Sequence, residues 1–197
     1  MVTTASTPRE LPWTNDVQAN RLLASDPNAL LIGFVLDQQV TVQKAFSSPL
    51  ELSRRLGGLD AKRIAAMDPG ALEEVFRAKP ALHRFPGNMA KRVQEHCAVI
   101  AADYDGDASR VWLEAADGSD LRRRIADLPG FGEMKVKALG SVLAKRFGVA
   151  SAAELVPSHP TLGDVDSAEA LATYQSQKRA YKAAQRSGTE APAWPSS

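Results

Sequence analysis

Residues 128 to 139 read Leu128-Pro129-Gly130-Phe131-Gly132-Glu133-Met134-Lys135-Val136-Lys137-Ala138-Leu139, a Pro-Gly-x-Gly turn between two amphipathic stretches. Upstream, Leu121, Ile125 and Leu128 fall at i, i+4 and i+7; downstream, Val136, Leu139, Leu143 and Phe147 fall at i, i+3, i+7 and i+11. Both patterns are helical, and so short a link obliges the two helices to bury their apolar stripes together. Gly130 and Gly132 can take φ > 0 without a Cβ penalty and let the backbone come close to a partner. The unpaired N–H groups that open the second helix favour an anion, and a phosphate diester fits.

The rest of the chain reads as helices punctuated by breakers. Asp16 to Leu23 forms a short helix capped by Asn15 or Asp16. Asp26-Pro27 opens the next, with Leu30, Leu31, Phe34, Val35 and Gln38 on one face and Gln38-Gln39 at its C-terminal end. Leu50 to Leu56, Ala61 to Ala66, Pro69 to Phe76 and Met89 to Tyr104 follow, separated by Gly57-Gly58, Asp68-Pro69 and Pro86-Gly87. Val40-Thr41-Val42 makes no alternating run with a partner, so an all-α chain without a sheet is expected. The 197 residues, 44% of them hydrophobic, suffice for one compact domain, in a single lobe or in two lobes sharing a groove. Residues 1–15 are expected as a flexible segment apart from Trp13, residues 16–186 as the domain with its hairpin at 119–147, and residues 187–197 as a disordered tail.

Net charge is only +1, so attraction to a polyanion must come from a local basic face. Arg122, Arg123 and Arg124 precede the turn, Lys135 and Lys137 follow it, and Lys178, Arg179, Lys182 and Arg186 lie on the last helix; each is equally readable as a solvated helix surface. Cys97 is the single cysteine, on an apolar stripe with Val93 and Ile100, which excludes an intrachain disulfide and any four-cysteine zinc or iron–sulfur site. His83, His96 and His159 do not form a metal-spaced set.

At three points the chain resembles the helix-hairpin-helix (HhH-GPD) DNA glycosylases related to endonuclease III. These are the turn itself, Leu36-Asp37-Gln38-Gln39-Val40-Thr41-Val42 well upstream of it, and Phe85-Pro86-Gly87-Asn88-Met89-Ala90-Lys91-Arg92-Val93 between them, in family order. The resemblance implies a helical barrel lobe with a second lobe from the N- and C-terminal segments. It also implies a base-excision repair enzyme that flips a damaged or modified base out of double-stranded DNA and hydrolyses its N-glycosidic bond. Gln39 would enter the duplex as a wedge, with Gln38 facing the pocket or strand. Gly130, Gly132 and Met134 would grip phosphates through their N–H groups, beside Phe131, Lys135 and Lys137. The carbonyls of Ala126, Leu128 and Phe131 would hold a structural Na+ or K+. The family's four cluster cysteines are missing, so no iron–sulfur cluster is expected, nor any other cofactor.

Where bifunctional relatives place a nucleophilic lysine, this chain has Met134. Lys135 is rotated from that position by about 100° around the helix. The resemblance therefore implies a monofunctional glycosylase, with a bifunctional glycosylase/AP lyase using Lys135 as the alternative. The family's catalytic Asp, which stabilises an oxocarbenium-like state and orients a water, best matches Asp166 in Val165-Asp166-Ser167. Ala150 to Gly163 separates it from the turn further than in the family, and Asp166-x-x-Glu169 equally reads as a helix cap. Asp164 is the next candidate and Asp37, beside the wedge, the third. A non-catalytic DNA-binding module and a helical interaction protein also stay open. No signal peptide, membrane-length apolar run or lipidation motif is seen, so a cytoplasmic, nucleoid-associated monomer is expected.

Overall fold

The computed structural model describes residues 7–188, and among them every regular element is helical, with no β-strand. The helices are α1 (Val17–Ser25), α2 (Pro27–Leu36), α3 (Val42–Leu56), α4 (Ala61–Ala66), α5 (Pro69–Arg77), α6 (Pro86–Asp103), α7 (Arg110–Leu113), α8 (Gly118–Ala126), α9 (Glu133–Phe147) and α10 (Ala168–Ser187). Two 3-10 turns, Ala150–Leu155 and Leu162–Asp164, lie between α9 and α10.

Side-chain caps set most starts. Asp16, Asp26, Thr41, Asp60, Asp68, Asp117 and Ser167 each accept backbone N–H groups of the helix that follows. The cap of α10 is thus Ser167 and not Asp166. Helix α3 begins well before Leu50, because Thr41 caps it and Pro49 is tolerated inside it. Beside Pro49 the buried Ser48 hydroxyl donates to Lys44 O or Leu82 O at 2.7 Å. Helix α6 begins at Pro86 rather than Met89, since a proline in the first turn gives up an N–H that had no partner there. The expected tail overlaps α10 through Ser187, and Gly188 caps it in the left-handed conformation; residues 189–197 lie outside the described residues.

Helix α2 is the centre of the core. Ala29 to Leu36 are all buried, so this helix is apolar all round rather than amphipathic, and α1, α3 and α6 pack around it. Gly33 permits the closest approach: a Cβ there would stand 2.5 Å from Cδ1 of Phe46 on α3. Residues 1–6 of the expected flexible segment lie outside the described residues, and part of the rest is packed on the body. Leu11 and Trp13 are fully buried, and the Leu11 N–H donates to Asn20 O at 3.0 Å. From Trp13, rings meet edge to face at Phe46 (4.9 Å) and then Phe34 (5.2 Å), continue to Phe131 (6.1 Å), and end at His96, stacked on Phe131 at 6.0 Å.

Candidate functional site

The site is built where α2 ends. The last carbonyls of a helix have no intrahelical donor, and here three of them are met by groups of Asp37, Gln38, His83 and Lys135. Phe34 O accepts the Asp37 N–H at 3.3 Å. Val35 O accepts Nε2 of Gln38 at 3.3 Å and Nζ of Lys135, from the first turn of α9, at 3.4 Å. Leu36 O accepts the Gln38 N–H at 2.7 Å and Nε2 of His83 at 3.1 Å. Lys135 thus also places a cation at the negative end of α2.

Beyond this cap the two glutamines diverge. Gln38 is engaged, its Oε1 accepting from Arg92 on α6 at 2.8 Å. Gln39 is exposed and sits at φ +55, a left-handed conformation that a non-glycine residue adopts only when its surroundings impose it.

The turn between α8 and α9 lies against the same helix end. Gly130 has φ +89, and a Cβ on it would be 3.6 Å from Val35 Cγ1. Gly132, by contrast, has an ordinary φ of −96; its contribution is a bare N-cap, with no side chain bonding the first N–H groups of α9 and nothing within 4 Å of where a Cβ would stand. The Phe131 side chain is buried between Phe34 and His96. Met134 is 75% exposed.

Lys135, unlike the exposed Met134 beside it, is turned towards the end of α2. It is partly buried, and burial pulls its ammonium down to about 8; the charges of Arg92 and Lys178 act the same way and that of Asp37 opposes them. Tyr174 on α10 joins this cluster, its phenol pushed up by burial and by the Asp37 charge against the pull of Lys178, whose Nζ lies 5.6 Å from the ring centroid. Gln43 and Gln175 exchange amide bonds at 2.7 and 3.3 Å and tie α10 to α3.

The three candidate carboxylates therefore have different surroundings. Asp37 belongs to the Lys135 cluster. Asp164 closes the capping box of its 3-10 turn, accepting the Thr161 N–H at 2.8 Å, and pairs with Lys145. Burial would raise its pKa, but these two partners outweigh that and hold it below the usual carboxylate range. Asp166 is exposed.

Much of the expected basic face is internally neutralised. Arg122 pairs with Glu133 at 2.7 Å, Arg124 with Asp120 at 2.8 Å, Arg123 with Asp120 and with Asp127 at 3.7 Å, and Lys137 with Glu133 at 3.6 Å. Glu133 also puts a carboxylate in the first turn of α9. Of the expected cation-binding carbonyls, Leu128 O already accepts the Phe131 N–H at 3.1 Å. Among the described residues no group of three or more His, Cys, Asp or Glu could hold a metal, and no helix is long and apolar enough to cross a membrane.

Arg92, Tyr174, His83 and His96 are not marked as site residues by the sequence. Arg92 follows the Asn88-x-x-Lys91 run and could have been found from it; the other three meet the site only through tertiary packing. An open pocket of about 700 Å³ lies elsewhere, between α5 and α6, lined by Glu73, Arg77, Phe85, Asn88, Lys91 and Gln94 among others. Compared with known proteins, the chain matches no family model, no curated protein and no solved structure.

Proposed function

We propose that the protein is a DNA glycosylase with the HhH-GPD fold, a cytoplasmic monomer acting on nucleoid DNA. One observation carries the reading: Gly130 and Lys135 from the α8–α9 turn both meet Val35, the helix end that leads into Gln38 and Gln39. On this reading the two motifs, far apart in sequence, act together on DNA, the N-terminus of α9 receiving a phosphate and Gln39 entering the duplex. In this arrangement Gln39 fills the gap left by an extruded nucleotide. The carboxylate with the best claim to stabilise the cationic sugar is Asp37, since Asp164 is tied to Lys145 and Thr161 and Asp166 faces solvent. Water adds to C1′ as the base departs with the electron pair of the glycosidic bond, and the base nitrogen is protonated.

A specific observation also favours the glycosylase/AP lyase reading. An amine held near pKa 8 is unprotonated in an appreciable fraction of molecules at neutral pH, and Lys135 stands beside Asp37. It would add to the C1′ aldehyde of the abasic sugar and lose water to give an imine.

Duplexes that each carry one modified base, treated with the protein and then alkali, test the reading with wild type beside Asp37→Asn, Asp164→Asn and Asp166→Asn. Scission by wild type that Asp37→Asn alone abolishes is the expected result. Salt-sensitive DNA binding without scission on any duplex points to a non-catalytic binding module instead. Borohydride trapping of a protein–DNA adduct, present in wild type and lost in Lys135→Ala, separates the lyase from the hydrolase.

A further inference from the structure

His83 is buried in the loop before α6, and its ring nitrogens have assignable roles. The Phe85 N–H lies 3.0 Å from Nδ1 and can only donate, so Nδ1 is the unprotonated nitrogen. The ring proton is therefore on Nε2, which stands 3.1 Å from Leu36 O and 3.0 Å from Gln38 O and divides its N–H between them. Those carbonyls bracket the α2 exit: one belongs to the last residue of the helix, the other to the residue just before Gln39. Gln39 itself is exposed and makes no bond among the described residues that would account for its φ of +55. Burial holds the imidazole pKa below the ordinary histidine range against the pull of the Gln38 and Leu36 carbonyls, helped by the charges of Lys44 from α3 and Lys135 from α9, so the neutral ring and this arrangement persist at neutral pH.

We propose that His83 is a positioning residue for Gln39: its single N–H, shared between Leu36 O and Gln38 O, fixes the turn so that Gln39 is left-handed and presented in the free protein. This rests on the reading of Gln39 as a side chain inserted into duplex DNA. An already ordered wedge adds no ordering cost at the moment of binding.

The test has one arm without DNA and one with it. In the free protein, the φ-dependent amide–Hα coupling and Cα shift of Gln39 report its backbone conformation. Wild type is expected to show the left-handed signature and His83→Leu to lose it. His83→Asn, whose amide is too short to reach both carbonyls, is also expected to lose it. His83→Gln, which keeps a donor at similar reach, should retain it. Melting curves identify which variants fold, and either folded variant lacking the shared N–H is decisive: persistence of the left-handed Gln39 in it overturns the proposal. A folded His83→Gln that loses the signature overturns it as well.

In the second arm, 2-aminopurine next to a modified base brightens when unstacked. Apparent affinity for the unstacked complex should fall about tenfold in His83→Leu if the presented turn becomes a tenth as populated. Absence of any signal with wild type would count against the DNA reading, while the first arm would still decide the role of His83.

Discussion

The ammonium of Lys135 lies 3.4 Å from the carbonyl oxygen of Val35, so the first turn of α9 and the last turn of α2 meet through a charged side chain. That charge is expensive to keep. The folded protein holds the amine at about 8, against about 10.4 for an unfolded lysine, so the unfolded chain binds the proton more tightly. Stability consequently rises as pH climbs from 8 towards 10.4, and at neutral pH the buried cation costs on the order of 3 kcal/mol. Lys135→Met should be more stable than wild type at pH 7, with the gain shrinking by pH 10. Urea melts at the two pH values measure both.

His96 predicts an acid sensitivity. It is almost wholly buried and neither ring nitrogen has a hydrogen-bond partner among the described residues; burial lowers its pKa to about 4, with the Lys135 charge acting in the same direction. Unfolded histidine takes up a proton near 6.5, so stability should fall as pH drops from about 6.5 to 4, by on the order of 3 kcal/mol, and then level off. His96→Leu should remove this slope and, by eliminating an unsatisfied buried group, raise stability at pH 7 by about 1 kcal/mol. An unchanged slope in chemical melts of that variant would assign the acid sensitivity to other groups.

Three glycines should respond differently to alanine. Gly33→Ala forces a methyl into Phe46 and should cost about 1–3 kcal/mol through overpacking. Gly130→Ala meets only ordinary contact with Val35, so its cost, about 1–2 kcal/mol, is that of holding alanine at φ +89. Gly132→Ala has ordinary φ and open space, so its thermal melt should show only the cost of alanine at an N-cap, about 0.5–1 kcal/mol. If the α9 N-terminus receives a phosphate, the same variant should nevertheless bind DNA more weakly in a titration.

Asp164 should prove a residue of stability. Asp164→Ala removes the acceptor of the Thr161 N–H and the partner of Lys145, a loss of about 1 kcal/mol. Because the folded state holds this carboxyl below its ordinary pKa, its contribution is present above about pH 4 and disappears as pH falls through the lowered value. Acid titration of wild type and variant should therefore converge at the low end.

The α8–α9 pair can be read directly from spacing, since Leu121, Ile125, Leu128, Val136, Leu139 and Leu143 are all buried and a helical period is a local property. Helix α2 is legible as a helix but not as the central one, because a run buried on every side has no stripe to reveal its neighbours. The direction of Lys135 is hidden for a similar reason. A rotation relative to Met134 says where a side chain leaves its own helix, not what other helices stand there, and α2 and α10 supply that information. The pairing of Asp120 with Arg123 and Arg124 is available at i+3 and i+4 and argues against an open basic cluster. The site roles of His83 and His96 carry no local signal: the carbonyls that receive the His83 N–H lie in a distant turn, and His96 has a remote ring for a neighbour.

The line of rings from Trp13 through Phe46, Phe34 and Phe131 to His96 has a consequence for how the surface turn behaves. Close-packed aromatic contacts resist small displacements. Phe131 is at once a member of that line and the middle residue of the loop between Gly130 and Gly132, so the loop cannot slide without disturbing a column that reaches the start of the folded chain. A segment whose composition suggests slack is therefore held in place by the interior packing of its middle residue, and an anion that meets the start of α9 encounters a surface shaped in advance.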